Sequence, residues 1–142
     1  MRLYERGFRN AHVALVAAGC IWLTSLAPAG AEDQTIQSII ARLSAEASKL
    51  SEAAHGADPT VDDIANKALH LRTTMAGLDA AIEKDPDAAS SHVDALKQLA
   101  ADEINLGLAI TSLSDANAST AEDLIAKVAA IADDIKGDAS AY

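Results

Sequence analysis

Apolar residues recur every three or four positions along most of this chain, and this spacing is the feature that most restricts its fold. The clearest run alternates the two spacings without a break through Val61, Ile64, Ala68, Leu71, Met75, Leu78 and Ile82. Such a repeat places one apolar stripe along one side of an α-helix. The apolar residues are mostly Ala, Leu, Ile and Val, and Ala and Leu lose little on entering a helix. The sequence therefore predicts an all-helical fold.

Turn-forming residues divide the chain at 56–59, 84–86 and 114–119. The segments between them each carry one helical stripe, and they span residues 34–55, 61–83, 86–113 and 120–136. Short connections make consecutive helices antiparallel neighbours. We therefore expect an up-down-up-down antiparallel four-helix bundle over residues 32–137, followed by a flexible tail at 138–142. The alternative is a pair of long hairpins that buries its stripes against a second copy.

Residues typical of helix ends support these segments. Asp85 followed by Pro86 predicts the start of the third helix. Gly56 and Gly137 are placed to end the first and fourth helices, Gly56 in the left-handed conformation that glycine adopts freely. Two pairs resemble capping boxes at the starts of the second and fourth helices, namely Thr60 with Asp63 and Ser119 with Glu122.

The first 31 residues have the parts of a secretory signal peptide. A basic start, an apolar core and small residues before the cleavage point follow in order as Arg2, Arg6 and Arg9, then residues 11–26, then Ala29 and Ala31. We expect cleavage after Ala31 and a periplasmic or secreted protein. Two alternatives remain: a bacterial lipoprotein anchored at Cys20, and an uncleaved anchor, although about sixteen apolar residues are few for a membrane span.

Charge and composition exclude several functions for the part that follows the leader. Removing Arg2, Arg6, Arg9 and Glu5 from the 11 basic and 21 acidic residues leaves 8 and 20, a formal charge of −12. Such a surface repels phosphate backbones, which argues against nucleic-acid binding, and it favours cationic partners.

The residue types that cofactors and catalysis need are scarce in the same part of the chain. The only cysteine, Cys20, lies in the leader, so thiolate-bound zinc, iron–sulfur and covalent haem sites are excluded. Only one aromatic residue, Tyr142, follows the leader, which leaves no platform for sugars, bases or a b-type haem held by Met75. No nucleophile–base pair stands in a recognisable setting. We expect no cofactor and no enzyme activity.

Glu103 is the polar residue that most invites a functional interpretation. The third segment has the widest apolar arc, so we expect it to be the most buried helix; the arc comprises Val93, Leu96, Leu99, Ala100, Ile104, Leu106, Leu108, Ile110 and Leu113. A helical wheel places Glu103 near the middle of this arc, level with Ala47, Ala68 and Ala130. The structural interpretation is that Glu103 turns to a flank and meets Lys67 or Lys127, or that a slight kink exposes it. The functional one is a carboxylate in a small internal cavity, with a raised pKa or as a metal ligand.

Three further residues are weak candidates for metal ligands. Glu52 and His55 have the Glu-x-x-His spacing of di-iron bundles, but only one such pair is present. Asp58 joins His55 in an acidic cluster at the first turn, where a cation could bind or where ordinary helix capping explains the charge.

These observations favour a non-catalytic exported helical protein that binds an unknown protein partner or acts as a structural or stress-related accessory. Leu69 and Leu108 fall outside the main stripes, and if they form one patch they mark a homodimer or partner surface. The alternative function is a carrier of a small ligand or metal at the site near Glu103.

Overall fold

All regular secondary structure in residues 35–142, the part that the computed structural model describes, is α-helical. The helices are α1 (Ile36–Ala54), α2 (Val61–Lys84), α3 (Pro86–Ser90), α4 (Val93–Ser114) and α5 (Ala121–Ala141). The prediction of an all-helical fold is confirmed. The predicted leader, residues 1–31, lies outside the described residues.

The apolar stripes of the four long helices meet in one interior. Helix α1 packs against α2 and α5, and α4 packs against the same two helices. The largest fully buried side chains come from all four long helices: Leu43, Leu50, Ile64, Leu71, Leu99, Leu106, Leu113, Val128 and Ile135. The three-and-four spacing therefore predicts correctly which face of α1, α2 and α5 is buried, because side chains at these spacings share one side of a helix.

The predicted third helix, residues 86–113, is in fact two helices. The short α3 ends at Ser90, and α4 begins at Val93. The Ser90 hydroxyl donates a hydrogen bond to the Asp87 carbonyl oxygen at 2.7 Å. Serine side chains that bond to nearby backbone in this way compete with helix continuation. The start of α3 is as predicted, since the Asp85 side chain accepts a hydrogen bond from the Ala88 amide at 3.0 Å.

Helix α2 also starts as predicted, whereas α1 ends differently. The Thr60 hydroxyl accepts a hydrogen bond from the Asp63 amide at 3.3 Å. At the end of α1, His55 rather than Gly56 occupies the cap position. Gly56 does not adopt the left-handed conformation expected of it, and its amide donates to the Ala53 carbonyl oxygen at 3.2 Å. The helix therefore ends in a tight turn that needs no glycine-specific backbone angle.

The capping box predicted for the fourth long helix is wrong. Helix α5 begins at Ala121, and its cap residue Thr120 makes no side-chain capping hydrogen bond. Ser119, the expected cap, instead donates from its amide and hydroxyl to Oδ1 of Asn117, at 2.9 and 2.6 Å. The Asn117 side chain thus forms a turn with the residues that follow it. Ser119 belongs to this turn and does not cap α5.

Helix α5 continues beyond Gly137, where the sequence predicted its end. Residues 138–141 are helical, and Ala139 is buried in the common interior. The ring of Tyr142 lies over that of His92, with the two centroids 4.2 Å apart. Burial of Ala139 and this ring contact outweigh the low helix propensity of Gly137, which costs about 1 kcal/mol relative to Ala.

Within residues 35–142, no helix is both long enough and apolar enough to cross a membrane.

Candidate functional site

Helix α4 buries a narrower stripe than its sequence predicts. Its buried residues are Leu99, Asp102, Leu106, Ala109 and Leu113. In contrast, Val93, Ile104 and Leu108 are 43%, 68% and 62% exposed. The expectation that this helix is the most buried is therefore wrong. Its wide apolar arc comprises two faces, one that lines the interior and one that is open to solvent.

The exposed side of α4 carries no exposed charge over most of its length. Between residues 98 and 114 the only charged residues are Asp102, which is buried, and Glu103, which is half-buried. Ile104 and Leu108 stand one turn apart on the exposed side, with uncharged neighbours such as Asn105. We call the exposed side of residues 98–114 the outward face of α4. The lack of exposed charge in this stretch of α4 contrasts with the chain as a whole, in which acidic residues greatly outnumber basic ones.

A further exposed leucine, Leu69, lies on the side of α2 that carries Arg72. It is 53% exposed and lies three residues from Arg72 along α2, which is about one helical turn. The Arg72 guanidinium rests on Gly107 of α4, since a Cβ placed on Gly107 would lie 3.3 Å from Cζ of Arg72. Leu108 directly follows Gly107, so the two leucines lie near one contact between α2 and α4.

Asp102 is a buried carboxylate that sequence analysis missed. Its side chain is 9% exposed, and its Oδ2 has no hydrogen-bond partner. Burial raises the pKa of Asp102 to about 6, and Asp138 and Asp134 of the neighbouring α5 raise it in the same direction. Once protonated, Asp102 can donate a hydrogen bond to Asp138. The interface of α4 and α5 therefore holds a group that is uncharged below about pH 6.

Glu103 lies on the flank of α4 that faces α2, not in the middle of the buried stripe. Partial burial raises its pKa, the Asp79 carboxylate adds to the rise, and the Arg72 guanidinium opposes it. Neither predicted partner, Lys67 or Lys127, forms an ion pair with Glu103 in residues 35–142, and Lys67 instead pairs with Asp63 within α2. Among the alanines expected at its level, Ala47 and Ala68 are buried in the common interior, whereas Ala130 is exposed.

The other candidate metal ligands lie at the end of α1 and in the loop after it. Glu52, His55 and Asp58 all face solvent. Nδ1 of His55 donates to the Ser51 carbonyl oxygen at 2.9 Å, which makes the imidazole part of the helix cap. Nowhere in residues 35–142 do three or more His, Cys, Asp or Glu side chains come together in a way that could hold a metal ion.

Ser51 and His55 also form a serine–histidine pair, with Oγ and Nδ1 3.4 Å apart. The same Nδ1 already donates its proton to a carbonyl oxygen, so it has no lone pair with which to accept the serine proton. The pair therefore serves helix capping and does not activate a nucleophile.

The described residues thus combine one uncharged apolar surface with two small acidic clusters, around Asp102 and around Glu103. Both clusters join carboxylates to other carboxylates or to Arg72, and these neighbours shift the pKa values of Asp102 and Glu103. Comparison of the chain with protein-family models, with curated proteins and with solved structures finds no significant match.

Proposed function

We propose that this chain is an exported, non-catalytic helical protein that acts by binding another protein through the outward face of α4. The observation that carries the proposal is the exposure of Ile104 and Leu108, 68% and 62%, on a stretch of α4, residues 98–114, that has no exposed charged residue of its own. Exposed apolar side chains that are grouped on one face of a helix are a feature of protein interaction sites. A structural or stress-related accessory role fits the same surface.

We further propose that the four long helices run up-down-up-down, with the short α3 inside the second connection. The pairings of α1 with α2 and α5, and of α4 with the same two helices, support this order, because consecutive helices joined by short loops become antiparallel neighbours. The leader, residues 1–31, would direct the protein to the periplasm or out of the cell.

Site-directed photo-crosslinking in cells that express the full chain tests the binding function. A photoreactive side chain replaces Ile104 in one variant and the exposed Ala130 of α5 in a matched control. We expect a discrete adduct from position 104 and none from position 130. Absence of an adduct at position 104, or equal labelling from both positions, contradicts the proposal.

Mass spectrometry of the purified protein tests export. Cleavage after Ala31 gives a chain that begins at Glu32, whereas a lipoprotein begins at a lipidated Cys20. A chain that retains its basic start contradicts both forms of processing.

A carrier function centred on Glu103 has weaker support. Its carboxylate lies on a flank beside Arg72, whose positive charge competes with a bound cation. Calorimetry with divalent cations, carried out on wild type and Glu103→Gln, tests whether Glu103 binds a metal ion. Equal binding heats for the two proteins, or no heat for either, would contradict a metal site at Glu103.

A further inference from the structure

The outward face of α4 is suited to one partner in particular. We propose that it binds the same face of a second copy of this chain and forms a weak symmetric homodimer. This inference rests on the proposed binding function and names the partner.

Charge is the first argument for a second copy. Each copy has a formal charge of −12 after the leader, so two copies repel each other through most surfaces. In a two-fold dimer the same patch lies on both sides of the interface, so an acidic patch would meet its own charge. Residues 98–114 of α4 contribute no exposed carboxylate, so the repulsion between acidic copies is weakest there, and the exposed charge beside them is the cationic Arg72 of α2, which lies against Gly107.

The chemistry of the face is the second argument. A cationic partner is attracted to the acidic surfaces of this protein and gains nothing from Ile104 and Leu108. An uncharged apolar face is instead complementary to another uncharged apolar face, and a second copy supplies one. Leu69 of α2, 53% exposed, can extend the apolar contact beyond α4.

The small size of the apolar contact determines the affinity that we expect for the dimer. Two large apolar side chains on α4 with a third on α2 form a small contact, and small interfaces belong to weak or transient complexes. We therefore expect dimers at high protein concentration that dissociate on dilution.

Sedimentation velocity over a concentration series tests the homodimer. The samples are wild type, Ile104→Glu, Leu108→Glu and the control Ala130→Glu, all purified from cells that express the full chain. Because Ile104, Leu108 and Ala130 are exposed, the new carboxylates do not disturb the core. We expect wild type and Ala130→Glu to dimerise alike, and each α4 variant to dimerise about tenfold more weakly or not at all, since two carboxylates then face each other.

Salt provides an independent readout of the same interface. Raising NaCl from about 0.1 M to about 1 M shortens the Debye length from about 10 Å to about 3 Å. We expect stronger dimerisation at high salt, because the repulsion between acidic copies is screened and the apolar contact is not. Association that weakens with salt indicates a charged interface and overturns the proposal.

The remaining outcomes separate the homodimer from the broader binding function. A wild type that stays monomeric at every concentration, or that dimerises unaffected by both α4 variants, overturns the homodimer. If position 104 then crosslinks to a different protein in cells, the binding function stands and only the partner is wrong. If neither dimer nor adduct forms, both proposals fail.

Discussion

Asp102 and Glu103 are adjacent on α4, yet their side chains face different neighbours, Asp102 toward Asp138 of α5 and Glu103 toward Asp79 of α2. Neighbouring positions on a helix differ by about 100° in direction, which lets α4 present one acid to each of the two helices that flank it. Both acids have a raised pKa, with burial as the largest cause. The helix thereby keeps its two central charges away from its outward face.

Replacing Asp102 by Asn tests the buried carboxylate. The folded-state pKa of about 6 exceeds the ordinary aspartate value of 3.8, so between these two pH values the folded protein holds a proton that the unfolded chain has lost. The stabilisation from this proton is fully present below about pH 3.8 and is lost as pH rises through about 6. We therefore expect wild type to gain stability as pH falls from 7 toward 4.5, and Asp102→Asn to be about 2 kcal/mol more stable than wild type at pH 7.

Urea unfolding at several pH values measures this effect, and Asp133→Asn is the control. Asp133 is an exposed carboxylate within α5, so its replacement makes the same change in net charge without burial. We expect the control to follow the pH dependence of wild type and Asp102→Asn to flatten it. Identical pH profiles for Asp102→Asn and wild type would show that Asp102 is ionised without penalty.

Two helical glycines allow the contact of Arg72 with Gly107 to be tested. A Cβ at Gly77 meets nothing within 4 Å, so Gly77→Ala should stabilise the protein by about 0.5–1 kcal/mol through helix propensity. A Cβ at Gly107 lies 3.3 Å from Cζ of Arg72, so that side chain must shift and Gly107→Ala should gain less. Chemical denaturation of both variants measures the difference, and equal gains would mean that the guanidinium does not rest on Gly107.

Thr74 makes a polar contact between α1 and α2. Its hydroxyl donates to Oε2 of Glu46 at 2.7 Å, while that carboxylate also accepts a hydrogen bond from Arg42. Because Glu46 is half-buried, we expect Thr74→Val to destabilise the protein by about 1–2 kcal/mol. Thr73→Val is the matched control, since the Thr73 hydroxyl is exposed and bonds only to the Leu69 carbonyl oxygen. A loss of similar size for both variants would assign the effect to helix propensity.

The last turn of α5 is held by Tyr142 against His92. We expect Tyr142→Ala to lower the free energy of unfolding by about 1 kcal/mol, the magnitude of an aromatic contact. Ser140→Ala serves as the control, because Ser140 is exposed and its hydroxyl bonds within the helix. Thermal unfolding measures both variants. No loss for Tyr142→Ala would support the flexible tail that the sequence suggested for residues 138–142.

The sequence predicts the helices well, because the apolar side chains that recur along each helix are the ones that become buried when the helices pack together. The seam of α2 is buried from Ile64 to Leu78 as its spacing indicates. The ends of helices are harder to predict, because they depend on tertiary contacts. Gly137 does not end α5, since the burial of Ala139 beyond it favours one more turn.

The buried acid was overlooked even though its signal is present in the sequence. Spacings of four and three run without a break through Ala95, Leu99, Asp102, Leu106, Ala109 and Leu113. All residues of this run except Ala95 are buried. The exposed Ile104 and Leu108 widened the apparent arc and shifted its centre to Glu103. A heptad reading that tolerates one polar residue would have identified Asp102 instead.

The central claim is that this protein associates through the outward face of α4. Backbone NMR spectra over a dilution series test this claim most directly. We predict concentration-dependent amide shifts that cluster around Ile104, Leu108 and Leu69, while the amides of α1 and α5 stay unchanged. Shifts confined to α1 or α5, or spectra that do not change with concentration, would contradict it.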